Sequence, residues 1–136
     1  MILFRKDWAK YPKAIIHTST QNVSFIRMAG LLKHMGVKNF AFLLALHNPD
    51  LEHVDPFSEN LTNLEMMAIA EECKQNPWYI FREIIRIPVD GTKTPSRLLA
   101  NRGNISMYWL FFNHVTSLLI QPRQTGKSVS VDSLMI

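Results

Sequence analysis

The chain has one cysteine, five glycines and seven prolines among its 136 residues. A lone thiol, Cys73, excludes an intrachain disulfide framework and fits a reducing compartment. Glycine and proline are too sparse for a collagen-like or low-complexity chain. No apolar run nears the roughly 18 residues that a membrane-spanning helix needs. The first seven residues lack the basic-then-apolar order of a secretory signal. Charged residues make up only 19%, against 47% hydrophobic, a globular composition. The expectation is a soluble cytosolic protein forming one domain or part of a larger one.

The net charge of +4 conceals a segregation. Residues 1–40 hold seven Lys and Arg against one acid, residues 41–90 three against nine, and residues 91–136 five against one. An acidic middle between basic ends suggests segments that attract one another or face different partners. Basic ends are compatible with phosphate ligands, but charge alone does not establish nucleic-acid binding.

Helical periodicity begins at Asn22. Phe25, Met28, Leu32 and Met35 share one stripe, and Gly36 stands where a left-handed cap is expected, so the pattern predicts a helix over 22–35. Residues 14–17 read as a short strand or buried turn. Residues 40–46 are apolar on every side and lean helical. His47-Asn48-Pro49-Asp50 and Asp55-Pro56 bracket a loop. Thr62-x-x-Glu65 forms a capping box opening a second helix, with Leu64, Met67, Ala68 and Glu71 in period and Glu71 and Glu72 on an acidic face.

Asn76-Pro77 caps a third helix, whose stripe is Trp78, Phe81, Ile84 and Ile85, running to Arg86 before Pro88. Residues 90–95 read as a loop, and 104–115 as a buried helix carrying Tyr108, Trp109, Phe111 and Phe112. Residues 117–121 read as a strand, followed by a loop and a helix over 127–136. The fold class expected is mainly α, with one or a few short strands. Of the five histidines only His47 and His53 are close, and their spacing of six suits no usual zinc pair.

The predicted strand runs into Gln121-Pro122-Arg123-Gln124-Thr125-Gly126-Lys127-Ser128. Its tail matches the end of the phosphate-loop pattern G-x-x-x-x-G-K-[ST], although Gln121 replaces the first glycine. In such a loop, backbone amides turn inward around phosphate oxygens. Gly126 allows close approach, Lys127 neutralises the β and γ phosphates, and Ser128 offers its hydroxyl to Mg²⁺. An exposed basic turn with no ligand is the competing reading of the same residues.

Residues 122–128 resemble the deviant Walker A loop of tailed-bacteriophage large terminase subunits, the ATPases that drive DNA into empty capsids. Asn76-Pro77-Trp78-Tyr79-Ile80-Phe81-Arg82-Glu83, Arg86-Ile87-Pro88 and Asn101-Arg102-Gly103-Asn104 resemble segments preceding that loop in a subset of the family. The resemblance covers about residues 56–136. It implies that Gln124, Thr125, Gly126, Lys127 and Ser128 bind ATP, with Ser128 on its Mg²⁺, and that Arg123 reaches the γ-phosphate. Arg82, Arg102 and Trp78 are candidates for adenine recognition, with helix packing or solvation the competing account of each.

The fold implied is the start of a P-loop α/β ATPase. Residues 1–57 would be an N-terminal helical region, 58–90 a helical pair leading into the ATPase, and 91–136 the incomplete opening of that domain. Partners implied are the remainder of the large subunit, the small terminase subunit, the portal and procapsid, and double-stranded DNA, with a ring of complete subunits in the host cytoplasm.

Eight residues follow Ser128, and they include no later strand with a Walker B acid, no catalytic carboxylate and no nuclease cluster. Asp132 lies too near Ser128, on the same predicted helix, to fill those roles. The expectation is a terminase N-terminal portion that is not a competent enzyme alone. The alternatives are a non-catalytic helical interaction module and a DNA-binding accessory protein, each with an incidental Gly-Lys-Ser turn.

Overall fold

A computed structural model describes residues 15–16, 20–116, 118, 120 and 127–135, with backbone only at 15, 16, 127, 128 and 130. The chain is mainly helical, with small antiparallel strand pairs. It divides into two compact units, Met1–Leu99 and Ala100–Ile136.

In the first unit, helix α1 spans Val23–His34 and buries Phe25, Met28, Ala29 and Leu32, the stripe the sequence predicts. Its end follows from Gly36, whose φ of 81° lets the Val37 amide turn back to the Leu32 carbonyl at 3.0 Å. The apolar segment after it divides in two. Phe40–Leu44 is a 3₁₀ helix, and Ala45–Leu46 is a strand, β2, paired antiparallel with β1 (Ile15–Ile16). Residues 41–46 are all buried, so no helical face is distinguished from another and the short chain meets its backbone needs by mixed means. The 47–56 loop contains a 3₁₀ turn at Pro49–Leu51, started by the Asn48 side chain accepting the Asp50 amide.

Helix α2 spans Asn63–Gln75 and opens on the predicted capping box. The Thr62 hydroxyl accepts the Glu65 amide at 3.2 Å, and a Glu65 carboxylate oxygen accepts the Thr62 amide at 2.8 Å. The inward face differs from the one predicted. Leu64 and Met67 are 79% and 69% exposed, whereas Ala68, Ile69, Cys73 and the carboxylate Glu72 turn inward. Glu72 thus leaves the acidic face to which the sequence assigns it. It is buried because three N–H groups reach it: the backbone amides of His47 and Asn48, each at 3.1 Å, and Asn76 Nδ2 at 2.8 Å.

Asn76 caps the next helix as predicted, accepting the Tyr79 amide at 3.3 Å, with Pro77 as first residue. Helix α3 (Pro77–Tyr79) continues as a π-helical turn over Ile80–Ile84 and stops there, short of the predicted Arg86. The Ile85 amide bonds to Ile80 five residues back, after which Ile85 is extended and Arg86–Ile87 becomes strand β3. Strand β3 pairs antiparallel with β4 (Ser96–Arg97), so residues 88–95 are the loop of a hairpin. Pro88 reinforces the change by disfavouring helical geometry at Ile87.

In the second unit, helix α4 spans Arg102–Phe112, starting two residues before the predicted Asn104, because Asn101 caps it by accepting the Asn104 amide at 2.9 Å. Ile105, Tyr108 and Trp109 are buried, but Phe111 is 51% exposed, so only part of the aromatic row is core. The helix ends three residues early, with His114 in a left-handed conformation (φ 55°) and the Val115 amide bonded to Leu110. Helix α5 spans Lys127–Leu134, in line with the helix predicted after the phosphate loop. Of the predicted strand 117–121, only Leu118 and Ile120 are described. Neither is in a strand, and both are over four-fifths exposed.

Replacing either cap tests this reading. Thr62→Ala should lower stability by about 1 kcal/mol. Asn76→Ala should cost more, roughly 2–4 kcal/mol, because it removes a cap and two buried bonds, to Glu72 and to the Ala45 carbonyl. Urea titration of both variants checks the order. The Thr62 amide and hydroxyl hold the Glu65 carboxyl below its ordinary value. The cap therefore contributes above the unfolded carboxyl's range and is lost as pH falls through the folded value, so the difference between wild type and Thr62→Ala should shrink in acid.

Candidate functional site

Arg123, Gln124, Thr125 and Gly126 lie outside the described residues. The backbones of Lys127 and Ser128 form the first turn of α5, and Asp132 is on the same helix, as expected. A Lys-Ser pair opening a helix is the register in which a phosphate loop hands its last amides to an anion.

The three adenine candidates separate. Trp78 is fully buried, its ring 4.9 Å from that of Phe42 in an edge-on arrangement. Arg82 is also fully buried and engaged within the first unit. Arg102 is exposed, at the first residue of α4. Packing accounts for Trp78 and Arg82.

Arg82 belongs to a polar cluster that sequence reasoning did not foresee. Its Nε donates to Glu83 Oε1 at 2.9 Å, and its Nη1 donates to the Leu43 carbonyl. The same Glu83 oxygen accepts the Thr20 hydroxyl, and Glu83 Oε2 lies 3.4 Å from Arg97 Nη1. Arg97 Nη2 also donates to Gln21 Oε1 at 2.7 Å. Asn22 completes the set, its Nδ2 lying 3.0 Å from both the Arg82 and Leu98 carbonyls. The π turn brings two successive charged residues into the interior here, which an α-helical period would not predict.

Three guanidinium groups, Arg82, Arg86 and Arg97, act on Glu83, and Asp55 also acts on Arg86. Strand register places Arg86 directly opposite Arg97. Burial, and then the nearby Arg97, push the Arg86 pKa down, while Glu83 and Asp55 oppose the shift. Arg86 lies over the Phe57 ring at 4.3 Å, which keeps part of its stem covered. A pocket of about 140 Å³ opens beside the cluster, lined by Thr20, Gln21, Tyr79, Glu83 and Arg97 and by residues 51–56. The only sequence signal for it is the density of charge between Arg82 and Arg97, whose partners lie as many as 76 residues away.

Among the described residues no group of three or more His, Cys, Asp or Glu is placed to hold a metal ion. His47 Nδ1 lies 3.4 Å from Glu72, a pairing that ties the loop to α2. No helix among the described residues is long and apolar enough to cross a membrane. Comparison with protein families, with curated proteins and with solved structures finds no match to this chain.

Two outcomes follow from this geometry. Glu83→Gln should destabilise the fold by about 3–5 kcal/mol, because it leaves the buried Arg82 charge uncompensated; denaturant unfolding measures it. Burial, and secondarily the charge of Glu72, raise the Cys73 thiol above its ordinary value. Cys73 should therefore react slowly with a disulfide reagent at neutral pH and speed up sharply when urea unfolds the chain.

Proposed function

We propose that this chain supplies the ATP phosphate-binding loop of a bacteriophage DNA-packaging motor, as the N-terminal portion of a large terminase subunit. The observation that carries the reading is the junction at residue 127. The sequence Arg123-Gln124-Thr125-Gly126 leads into a helix whose first two residues are Lys127 and Ser128. On this reading Lys127 neutralises the β and γ phosphates, Ser128 holds Mg²⁺ against them, and Arg123 stabilises charge on the transferred phosphoryl group. Gln124, Thr125 and Gly126 contribute backbone amides. The walls of a complete site, the Walker B acid and the carboxylate that activates water come from further sequence, as do the ring, portal and DNA contacts of the motor.

One observation favours a second reading, a helical interaction module without nucleotide chemistry. Leu64, Met66 and Met67 stand exposed along α2, in the acidic middle of the chain. A single measurement separates the two. A fluorescent ATP analogue should bind the chain in the presence of Mg²⁺, and Lys127→Ala should weaken binding roughly 10- to 100-fold, the equivalent of one charge-assisted contact. Equal binding by both proteins, or none by either, would reject the phosphate site and leave the interaction module.

A further inference from the structure

The segregation of charge along the sequence ends on two exposed helix faces of the first unit. No acid occurs between Asp7 and Asp50, and no Lys or Arg between Lys38 and Lys74. Helix α1 therefore lies in a basic stretch and α2 in an acidic one. Within the chain each has other neighbours. Helix α1 packs on Phe40–Leu44, and α2 packs on Pro77–Tyr79 and on the Pro49–Leu51 turn. No ion pair among the described residues joins α1 to α2. Their opposite charges are thus not matched inside one copy. We propose that they are matched between copies, the outward face of α1 on one molecule docking antiparallel on the outward face of α2 on another.

The two faces correspond in spacing. On α1, Val23, Arg27, Leu31 and His34 are all exposed and follow one another by four, four and three residues. On α2, read backwards, Gln75, Glu71, Met67 and Leu64 are all exposed and follow one another by four, four and three. Such steps keep each set on one side of its helix. Laid antiparallel in this register, the helices bring Arg27 level with Glu71 and Leu31 level with Met67, while Leu64 comes level with His34. The helices also match in length, at 12 and 13 residues. Antiparallel orientation further sets the negative end of one helix dipole beside the positive end of the other.

Charge and apolar contact act together on this pairing. Helix α1 carries Arg27, Lys33 and His34 and no acid, so nothing on it repels Glu71. Lys74, the one cation of α2, lies 3.6 Å from Glu71 and sets a limit on the attraction. Val23, Leu31, Leu64 and Met67 are large apolar side chains that a single copy leaves in water. Covering them is favourable, and the unbranched Met67 adapts to the surface it meets. Two short helices bury less than the roughly 1,200 Å² of a standard interface, so the association is weak, with a dissociation constant on the order of 100 μM.

Sedimentation equilibrium of the full chain from about 10 μM to 1 mM tests this, a range that brackets weak association. Self-association is expected, and it should weaken as NaCl is raised, because exposed charges contribute to it. Arg27→Glu and Glu71→Arg each set like charges level with one another, and each should weaken association roughly tenfold. Mixed in equal amounts, the two variants should associate as strongly as wild type, since each then finds the opposite charge on the other. Both side chains are exposed, so urea midpoints should stay at the wild-type value. Association unchanged by either reversal, or a mixture no stronger than its separate components, would overturn the proposal. So would a chain that stays monomeric throughout, including one that instead takes up a basic amphipathic peptide on α2. The measurement uses no nucleotide, so its outcome is told apart from that of the ATP analogue.

Discussion

The first unit depends on satisfying two buried carboxylates. Glu83 is held by Thr20, Arg82 and Arg97, and Glu72 by the amides of His47 and Asn48 and by Asn76. An ionised carboxylate taken from water without partners costs several kcal/mol, so neither helix could present these faces inward unless the distant donors were already in place. The constraint fixes more than the residues named. Glu72 and Asn76 clamp the start of the 47–56 loop and the Ala45 carbonyl against α2, while Arg82 reaches back to the Leu43 carbonyl. The 40–46 segment, apolar on all sides and without a preferred face, is thereby located by polar bonds from two different helices.

Local signals were readable because both partners of each interaction lie within one turn. Gly36 at the end of α1, the Thr62–Glu65 box and the Asn76-Pro77 start all appear in the structure as the residues suggest. The face of α2 was not readable in the same way. Hydrophobicity alone selects Leu64 and Met67, yet the face that packs is one residue further round, through Ala68, Ile69 and Cys73, and includes Glu72. That rotation is decided by N–H groups from 24 and 25 residues upstream, to which a periodicity argument confined to the helix has no access. The π turn after Tyr79 is a similar case. An α-helical period assigns Arg82 and Glu83 to different directions, and only the wider turn and Thr20, 63 residues away, make both internal.

The candidate sites divide along the same line. A phosphate loop is a contiguous motif, so Lys127 and Ser128 could be proposed from the sequence, and of that proposal the structure shows the helix they open. The pocket beside Glu83 is assembled from residues 20–21, 51–56, 79, 83 and 97, none of which forms a motif with its neighbours. Its character emerges only when strand register sets Arg86 against Arg97 and the hairpin delivers Arg97 to Glu83. Like charges directly opposite one another on paired strands are unfavourable, and a structure that retains them needs compensating acids nearby. Glu83 and Asp55 fill that role here.

These requirements narrow the nucleotide reading as well. If Arg82 contacted a base, it would have to leave Glu83 and the Leu43 carbonyl, stranding a buried carboxylate and an acceptor together. Trp78 is no freer, since its ring packs against both Phe42 and Phe81, with centroids 4.9 Å and 6.2 Å away. Removing such an aromatic from the core costs on the order of 3–5 kcal/mol, comparable to much of a small domain's stability. A base-binding role for either residue would therefore oppose folding. Of the three upstream candidates, Arg102 alone combines an exposed position with a place in the unit that carries Lys127 and Ser128. Of the three candidates named for adenine recognition, the packaging reading thus retains Arg102, at the start of α4, while Trp78 and Arg82 serve the core.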